Sequence, residues 1–400
     1  MMLRPPDSSA PLLGVTVKNG ALAQPVVSYT YDNANRLIGI SQAAGAINAG
    51  ETQQIALTYD AAGQRTQTRL ANGSTVTYTR DAAGQLTAIV YNKADGALIG
   101  DLTYEYDAGG HRTSMGGSLA QLNLPDADVT DASYDANDRL LVWGGKTYAY
   151  DDNGNLVSDG TSSCQWDERN RLSRIGTGAG ELASFQYDSL GRRSGKTIAG
   201  ETTGFLYDGS TAVQELAGTS STSAVTAHML TGGIDEVFLR TEGNDGSIRN
   251  SVFSDANNNT LMLSSAAEDK LVGYAYEPYG ATTADAAAGS PQQYSGREND
   301  SPGNDQGLYY YRARYYMPGI TRFISEDPIG WASGQTNRYA YVGGNPLGLR
   351  DPFGLDAWDE LENASAGIGD GLTLGLTRWI RNKLDIQEST RALDGTKLDW

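Results

Sequence analysis

A short unit built on an aromatic residue followed by Asp recurs through the first half of the chain, and it restricts the available folds more than any other feature. Its copies begin at Tyr31-Asp32, Tyr59-Asp60, Tyr106-Asp107, Tyr134-Asp135, Tyr150-Asp151, Trp166-Asp167 and Tyr187-Asp188, with Arg80-Asp81 as a degenerate copy and Tyr207-Asp208 closing the series. Successive Asp positions lie 16 to 28 residues apart, an irregular hairpin-sized period that marks an array and not a single-core domain. The residues before each motif alternate, as in Leu102-Thr103-Tyr104-Glu105-Tyr106, which signals a strand. Asp and a following Gly or Asn then turn the chain, as in Asp151-Asp152-Asn153-Gly154-Asn155. One hairpin is barely stable in water, so such units must stack to bury their faces.

Composition agrees with an all-β array. Glycine supplies 49 of the 400 residues, which signals many turns. Tyrosine outnumbers phenylalanine 23 to 6, a choice that suits strands apolar along their body and wet at their tips. The 30 basic against 48 acidic residues leave a net charge of −18, which argues against a general binder of nucleic acid or anionic membrane. The single cysteine, Cys164, excludes an intramolecular disulfide and a thiolate metal cluster. Nothing marks His111 or His228 as catalytic or ligating. Residues Met1 to Pro6 lack the apolar run of a Sec signal, and no run reaches the ~20 residues of a membrane helix.

Other motif matches are weak. Gly145-Lys146-Thr147 and Gly195-Lys196-Thr197 lack the first glycine of a phosphate loop, since Leu140 and Leu190 stand there. Asp255-Ala256-Asn257-Asn258-Asn259 begins like a calcium loop but has Thr260 where Gly is required, so it reads as a turn. No cofactor site is expected.

Residues 209–225 are rich in Ser, Thr, Ala and Gly and read as a connector; strand patterns return over 226–280, and 281–291 is a small-residue loop. The densest stretch follows, from Leu308 to Leu355. It opens with Tyr309-Tyr310-Tyr311-Arg312-Ala313-Arg314-Tyr315-Tyr316, which alternation presents as one strand with its arginines paired to carboxylates of the array. The same turn then occurs twice, as Asp327-Pro328-Ile329-Gly330 and Asp351-Pro352-Phe353-Gly354. Asp at the first position, Pro at the second and Gly at the fourth suit a type I turn, so each carboxylate sits at a rigid bend.

The repeats resemble the YD repeats of Rhs proteins and teneurins. The stretch from Ser295-Gly296-Arg297-Glu298 through Tyr309–Tyr316, Arg322-Phe323-Ile324-Ser325-Glu326-Asp327-Pro328-Ile329-Gly330, Tyr339-Ala340-Tyr341-Val342 and Asn345-Pro346 to Asp351-Pro352-Phe353-Gly354-Leu355 resembles the core domain that closes the shell of Rhs proteins, a family that includes the C components of Tc toxins. The resemblance implies an all-β YD-repeat array, spiralling into a partial hollow shell and closed by a core that cuts its own chain. Carried over, Asp327 and Asp351 form a catalytic pair and the severed bond is Leu355–Asp356. Two adjacent carboxylates cannot both ionise cheaply, so one keeps a proton while the other activates water. Asp356 has no hydroxyl or thiol, which favours hydrolysis over an acyl shift. Arg322 stands near the pair in sequence and is a candidate to hold one carboxylate ionised, or else a structural ion-pair partner. The usual family Gly-Arg-Phe is here Thr321-Arg322-Phe323.

The expected organisation is therefore an N-terminal segment (1–27), a YD array (28–208), a connector with further shell strands (209–290), the self-cleaving core (291–355), and the start of a variable, mainly helical region (356–400), with Leu376, Ile380 and Leu384 on one face and Thr377 as N-cap. The resemblance implies that the cargo is the chain's own C-terminal polypeptide, made in a bacterial cytoplasm and exported by a specialised secretion system. A secretion or shell-completing partner and an immunity protein are implied as well, with no nucleic acid. A rival from another class remains: a surface YD array that binds carbohydrate or mediates adhesion, with both Asp-Pro turns purely structural.

Overall fold

The computed structural model describes residues 18–19, 22–23, 27–43, 51–121, 123–125, 129–220, 223–243, 247–286, 289–301, 307–355 and 358–359. These are almost wholly β. Eight antiparallel strands from Val27–Tyr31 to Arg112–Gly116 form one sheet in which every strand pairs with its neighbours in sequence. Fourteen more, from Ala149–Tyr150 to Thr282–Ala284, form a second sheet with the same meander order. A three-stranded sheet (Ala132–Tyr134, Leu140–Trp143, Lys146–Thr147) lies between them in sequence.

The Tyr-Asp motif makes its turn through the Asp side chain. Asp32 Oδ1 accepts the backbone N–H of Ala34 and of Arg36, both at 2.9 Å, and Oδ2 accepts Arg36 Nε at 2.7 Å. Asp135, Asp167 and Asp188 repeat this pattern with Arg139, Arg171 and Arg192. One side chain thus satisfies the N–H groups that a tight bend would strand. The backbone N–H of Arg36 holds the Asp32 carboxyl below its ordinary value.

In five of the units the aromatic residue ties the unit to the preceding one. Tyr59 Oη donates to the Leu37 carbonyl (2.8 Å), Tyr106 to Leu86 (2.9 Å), Tyr187 to Leu172 (2.7 Å) and Tyr207 to Arg193 (2.8 Å). Trp166 Nε1 does the same to Leu156 at 2.8 Å. In each case the acceptor lies five residues beyond the earlier motif's Asp. The arginine four residues after Asp completes the link by stacking on the next ring: Arg36 on Tyr59, Arg171 on Tyr187 and Arg192 on Tyr207. Phenylalanine could fill the apolar volume but could not make this bond, which accounts for the bias toward tyrosine.

The array folds back on itself. Leu37, Ile40, Ile55, Leu57, Val76 and Ile89 of the first sheet pack against Leu230, Phe238, Leu239, Phe253 and Met262 of the second. Residues 291–355 pack on other parts of the second sheet, with Tyr310, Tyr315 and Met317 on Leu156, Ile175 and Phe185, and Tyr309, Tyr311 and Tyr316 on Val252, Leu263 and Val272. Trp143 Nε1 donates to the Gly319 carbonyl (3.0 Å) and Leu156 N to that of Ile324 (2.8 Å), so one side-chain and one backbone hydrogen bond join array and closing domain directly.

Three expectations need correction or placing. Thr211–Ala217, assigned above to a connector, is a strand of the second sheet; its polar residues Gln214 and Glu215 are buried, and Arg240 pairs with Glu215 at 2.7 Å. The run from Tyr309 to Tyr316 is not one strand but a hairpin, Tyr309–Tyr311 and Arg314–Met317, turning at Arg312-Ala313 with Arg312 at φ 59°. Register Tyr309↔Tyr316 and Tyr310↔Tyr315 inverts the alternation across the turn, so Tyr315 shares a face with Tyr310 and not with Tyr309. The helix expected around Leu376–Leu384 lies outside the described residues; Trp358–Asp359 forms a short strand with Leu349–Arg350.

Two consequences can be measured. Tyr187→Phe, which removes one inter-unit bond, is expected to cost about 1 kcal/mol in urea unfolding, whereas Tyr134→Phe, at an exposed ring, is expected to stay within about 0.5 kcal/mol of the parent. His228 bridges the sheets through a 3.2 Å bond to Gln42, and burial pulls its imidazole down to about 4 from 6.5. The native state therefore binds fewer protons than the unfolded chain between these values. Its contribution is complete above pH 6.5 and lost as pH falls toward 4, up to about 3 kcal/mol. His228→Gln is expected to flatten that part of the pH–stability curve.

Candidate active site

Both Asp-Pro turns form as the sequence suggests. Asp327 Oδ1 accepts Ile329 N (3.0 Å) and its carbonyl accepts Gly330 N (2.9 Å). Asp351 Oδ1 accepts Phe353 N (3.3 Å) and Leu355 N (3.0 Å). The two side chains are withdrawn from solvent, at 6% and 1% exposure, and they meet at a residue that the sequence reading assigned to a different partner.

That residue is Arg314, at 2% exposure. Its Nη2 lies 3.2 Å from Asp327 Oδ2 and 3.4 Å from Asp351 Oδ2. Sharing one nitrogen keeps the two carboxylate oxygens within about twice a hydrogen-bond length of each other. Arg314 Nε donates to the Gly354 carbonyl (2.5 Å), Nη1 donates to that of Arg338 (3.1 Å), and the guanidinium covers the Phe323 ring at 3.6 Å. Burial draws Arg314 below the ordinary guanidinium value, while Asp351 and Asp327 pull the other way.

The segment before Leu355 is gripped carbonyl by carbonyl. Pro352 O accepts from Arg297 Nη1 (3.1 Å) and from Arg312 Nη1, Phe353 O from Ala313 N (3.2 Å), and Gly354 O from Arg314. Arg297 and Arg312 are held in turn by Asp235, at 2.9 and 2.6 Å. Gly354 has φ +68°, and a Cβ there would come within 2.5 Å of the Tyr311 carbonyl, so only glycine fits. The turn from Asp351 to Gly354 thus lies in a hydrogen-bonded cradle beside the two carboxylates, with Leu355 following it. Asp356 is outside the described residues.

Arg322 is not in this group. Its Nη1 donates to the Asp138 carbonyl (2.8 Å) and its guanidinium lies over Tyr134 (4.9 Å) and Tyr339 (5.6 Å), clamping the closing domain to a turn of the array. Arg312 does pair with a shell carboxylate, Asp235, as alternation suggested, but Arg314 turns toward the Asp-Pro bends. The hairpin parity sends it there, which a reading of the run as one strand does not show.

The remaining candidates are structural. Asp255 Oδ1 accepts Asn257 N and Asn259 N, the turn that the motif suggested. His111 is exposed beside Asp107, and burial pushes the Cys164 thiol up to about 12. Among the described residues no His, Cys, Asp and Glu side chains are grouped to hold a metal ion, and no helix is long and apolar enough to cross a membrane.

Comparison with known proteins places the chain in a family. Among curated proteins, the chain is 29% identical over 287 residues to the tRNA3(Ser)-specific nuclease WapA of Bacillus spizizenii, covering 69% of this chain and 12% of that protein. It is 26% identical over 372 residues to the probable deoxyribonuclease RhsA of Dickeya dadantii, covering 85% of this chain and 25% of that protein. Toxin subunit YenC2 of Yersinia entomophaga is 43% identical over a shorter stretch of 103 residues, 23% of this chain and 10% of that one. The chain thus spans a quarter or less of these relatives' length. In fold it is similar to the crystal structure of TcdB2-TccC3-Cdc42, with TM-score 0.61 at 21% identity over 86% of this chain and 21% of that one. The family profile described as Teneurin YD-shell matches residues 52–286, more than half of the chain, and the protein belongs to that family.

Proposed function

We propose that this chain is part of a YD shell that packages a polypeptide continuing from Leu355, and that it frees this polypeptide by one hydrolysis of its own Leu355–Asp356 bond. The observation that supports it best is the convergence of Asp327 and Asp351, 24 residues apart, on one buried Arg314 nitrogen beside Leu355. The toxin and nuclease names of the relatives support a toxic cargo.

Charge balance supplies the mechanism. One buried guanidinium carries a single positive charge, and two carboxylates held this close to each other cannot both ionise cheaply. The neutral arrangement is Arg⁺ with one carboxylate and one carboxylic acid. The carboxylate takes a proton from water as its oxygen attacks the Leu355 carbonyl carbon. The acid protonates the departing Asp356 nitrogen, so the C–N bond breaks and one proton is passed between the two groups overall. Arg314 keeps the pair together and holds Gly354, while the bonds to Pro352 and Phe353 fix the peptide so that little ordering is left for the reactive step. The chain cuts itself once, because its substrate is covalently delivered.

Intact mass of the purified chain is expected to show a break between Leu355 and Asp356, abolished by Asp327→Asn and by Asp351→Asn. A wild-type chain that stays whole through long incubation overturns the cleavage proposal and favours the binding-module reading. Arg314→Gln is expected to slow the break by about 10² or more, followed as the fraction cut against time after refolding. Arg322→Gln, which loosens a clamp outside the site, is expected to lower stability and leave the rate of the folded chain within about threefold.

A further inference from the structure

A cavity of about 580 Å³ lies between the first sheet, the second sheet and the closing domain. Its charged lining consists of Arg65, Arg80, Arg112 and Arg350 against Glu236 and Asp255. A positive balance is unexpected inside a chain with net charge −18. Arg65 is already paired with Glu236, and burial, which would raise Glu236, is outweighed by Arg65, so that carboxylate stays ionised. Arg350 Nε is buried with no hydrogen-bond acceptor among the described residues. The size matches a site for a few side chains and not for a folded domain.

The chain itself supplies a matching ligand. Leu349 and Arg350 line the cavity, and their backbones pair with Asp359 and Trp358. The residues on either side of this short strand read Asp356-Ala357-Trp358-Asp359-Glu360-Leu361-Glu362, with four carboxylates in seven positions. From Asp359, a further three residues reach up to about 10 Å in extended form, enough to enter the cavity from its Leu349–Arg350 wall. We propose that the arginine-lined cavity is a docking site for residues 356–362, which holds the leading end of the polypeptide that follows Leu355. Glu360 and Glu362 meet the arginines, and Leu361 meets the apolar wall at Ile89 and Phe238. Desolvated Arg–carboxylate pairs are the stronger kind, and they would anchor this end by non-covalent contacts alone. The site needs no broken bond: it can be filled in a whole chain or a cut one, so it stands apart from the cleavage proposal.

The test is zero-length carbodiimide coupling in the full chain, with Arg80→Lys and Arg350→Lys made separately to place an amine where each arginine stood. Peptide mapping is expected to find new amide links from the substituted position to Glu360 or Glu362 in both variants, suppressed by high salt and lost when Glu360 and Glu362 are changed to Gln. Links from either position only to acids beyond residue 362, or no links in folded variants whose native Lys196–Asp300 pair does couple, would overturn the proposal. The intact mass of the same samples reports separately whether the 355–356 bond is cut, so either idea can fail without the other.

Discussion

A single buried guanidinium organises the closing domain of this molecule. Arg314 has almost no contact with water, so its charge must be met by protein groups, and the groups that meet it are two carboxylates and two backbone carbonyls. Removing both carboxylates would leave a buried charge uncompensated, a far larger penalty than losing a surface pair. The Asp-Pro bends are therefore fixed relative to each other by electrostatics as well as by turn geometry. The same residue holds the Gly354 carbonyl, so the carboxylate pair and the segment leading to Leu355 are registered on one group.

The array exists to make that burial possible. An isolated closing domain would expose the rings of Tyr309, Tyr310, Tyr311, Tyr315 and Tyr316, which here have at most 4% exposure because strands of the second sheet cover both faces of their hairpin. Arg193 and Lys196 of the array pair with Glu298 and Asp300 in the same buried layer, so shell and closing domain share a charged seam. Such a seam gives little net stability but disfavours wrong registers, since any slip would bury unpaired charge. The tyrosine-to-carbonyl bonds between successive units perform the equivalent task along the array.

Much of this was legible from the residues. Asp at the bend, Gly or Asn beyond it and an alternating strand before it specify a hairpin locally, and the turns at Asp32, Asp135, Asp167 and Asp188 form in that way. The two Asp-Pro turns were likewise local and readable. What the sequence could not give was placement across distance. A two-residue turn at Arg312-Ala313 inverts strand parity, and no composition rule marks a left-handed Arg, so Arg314 was sent to the wrong partner and Arg322 was offered in its place. The strand Thr211–Ala217 was hidden because Gln214 and Glu215 are buried in it beside Val213 and Leu216, with Arg240 meeting the Glu215 carboxylate.

The reaction assigned to the carboxylate pair makes one demand that no structural role would make: a water oxygen must end in the new carboxyl group. Mass spectrometry of chain produced in H₂¹⁸O, set against chain produced in ordinary water, measures this at the C-terminal peptide ending in Leu355. Hydrolysis by Asp327 and Asp351 requires that peptide to gain the mass of a solvent-derived heavy oxygen at its new terminus beyond the label it carries elsewhere. A chain severed there without that gain, or severed equally well when Asp327 and Asp351 are both Asn, would contradict the role given to the pair.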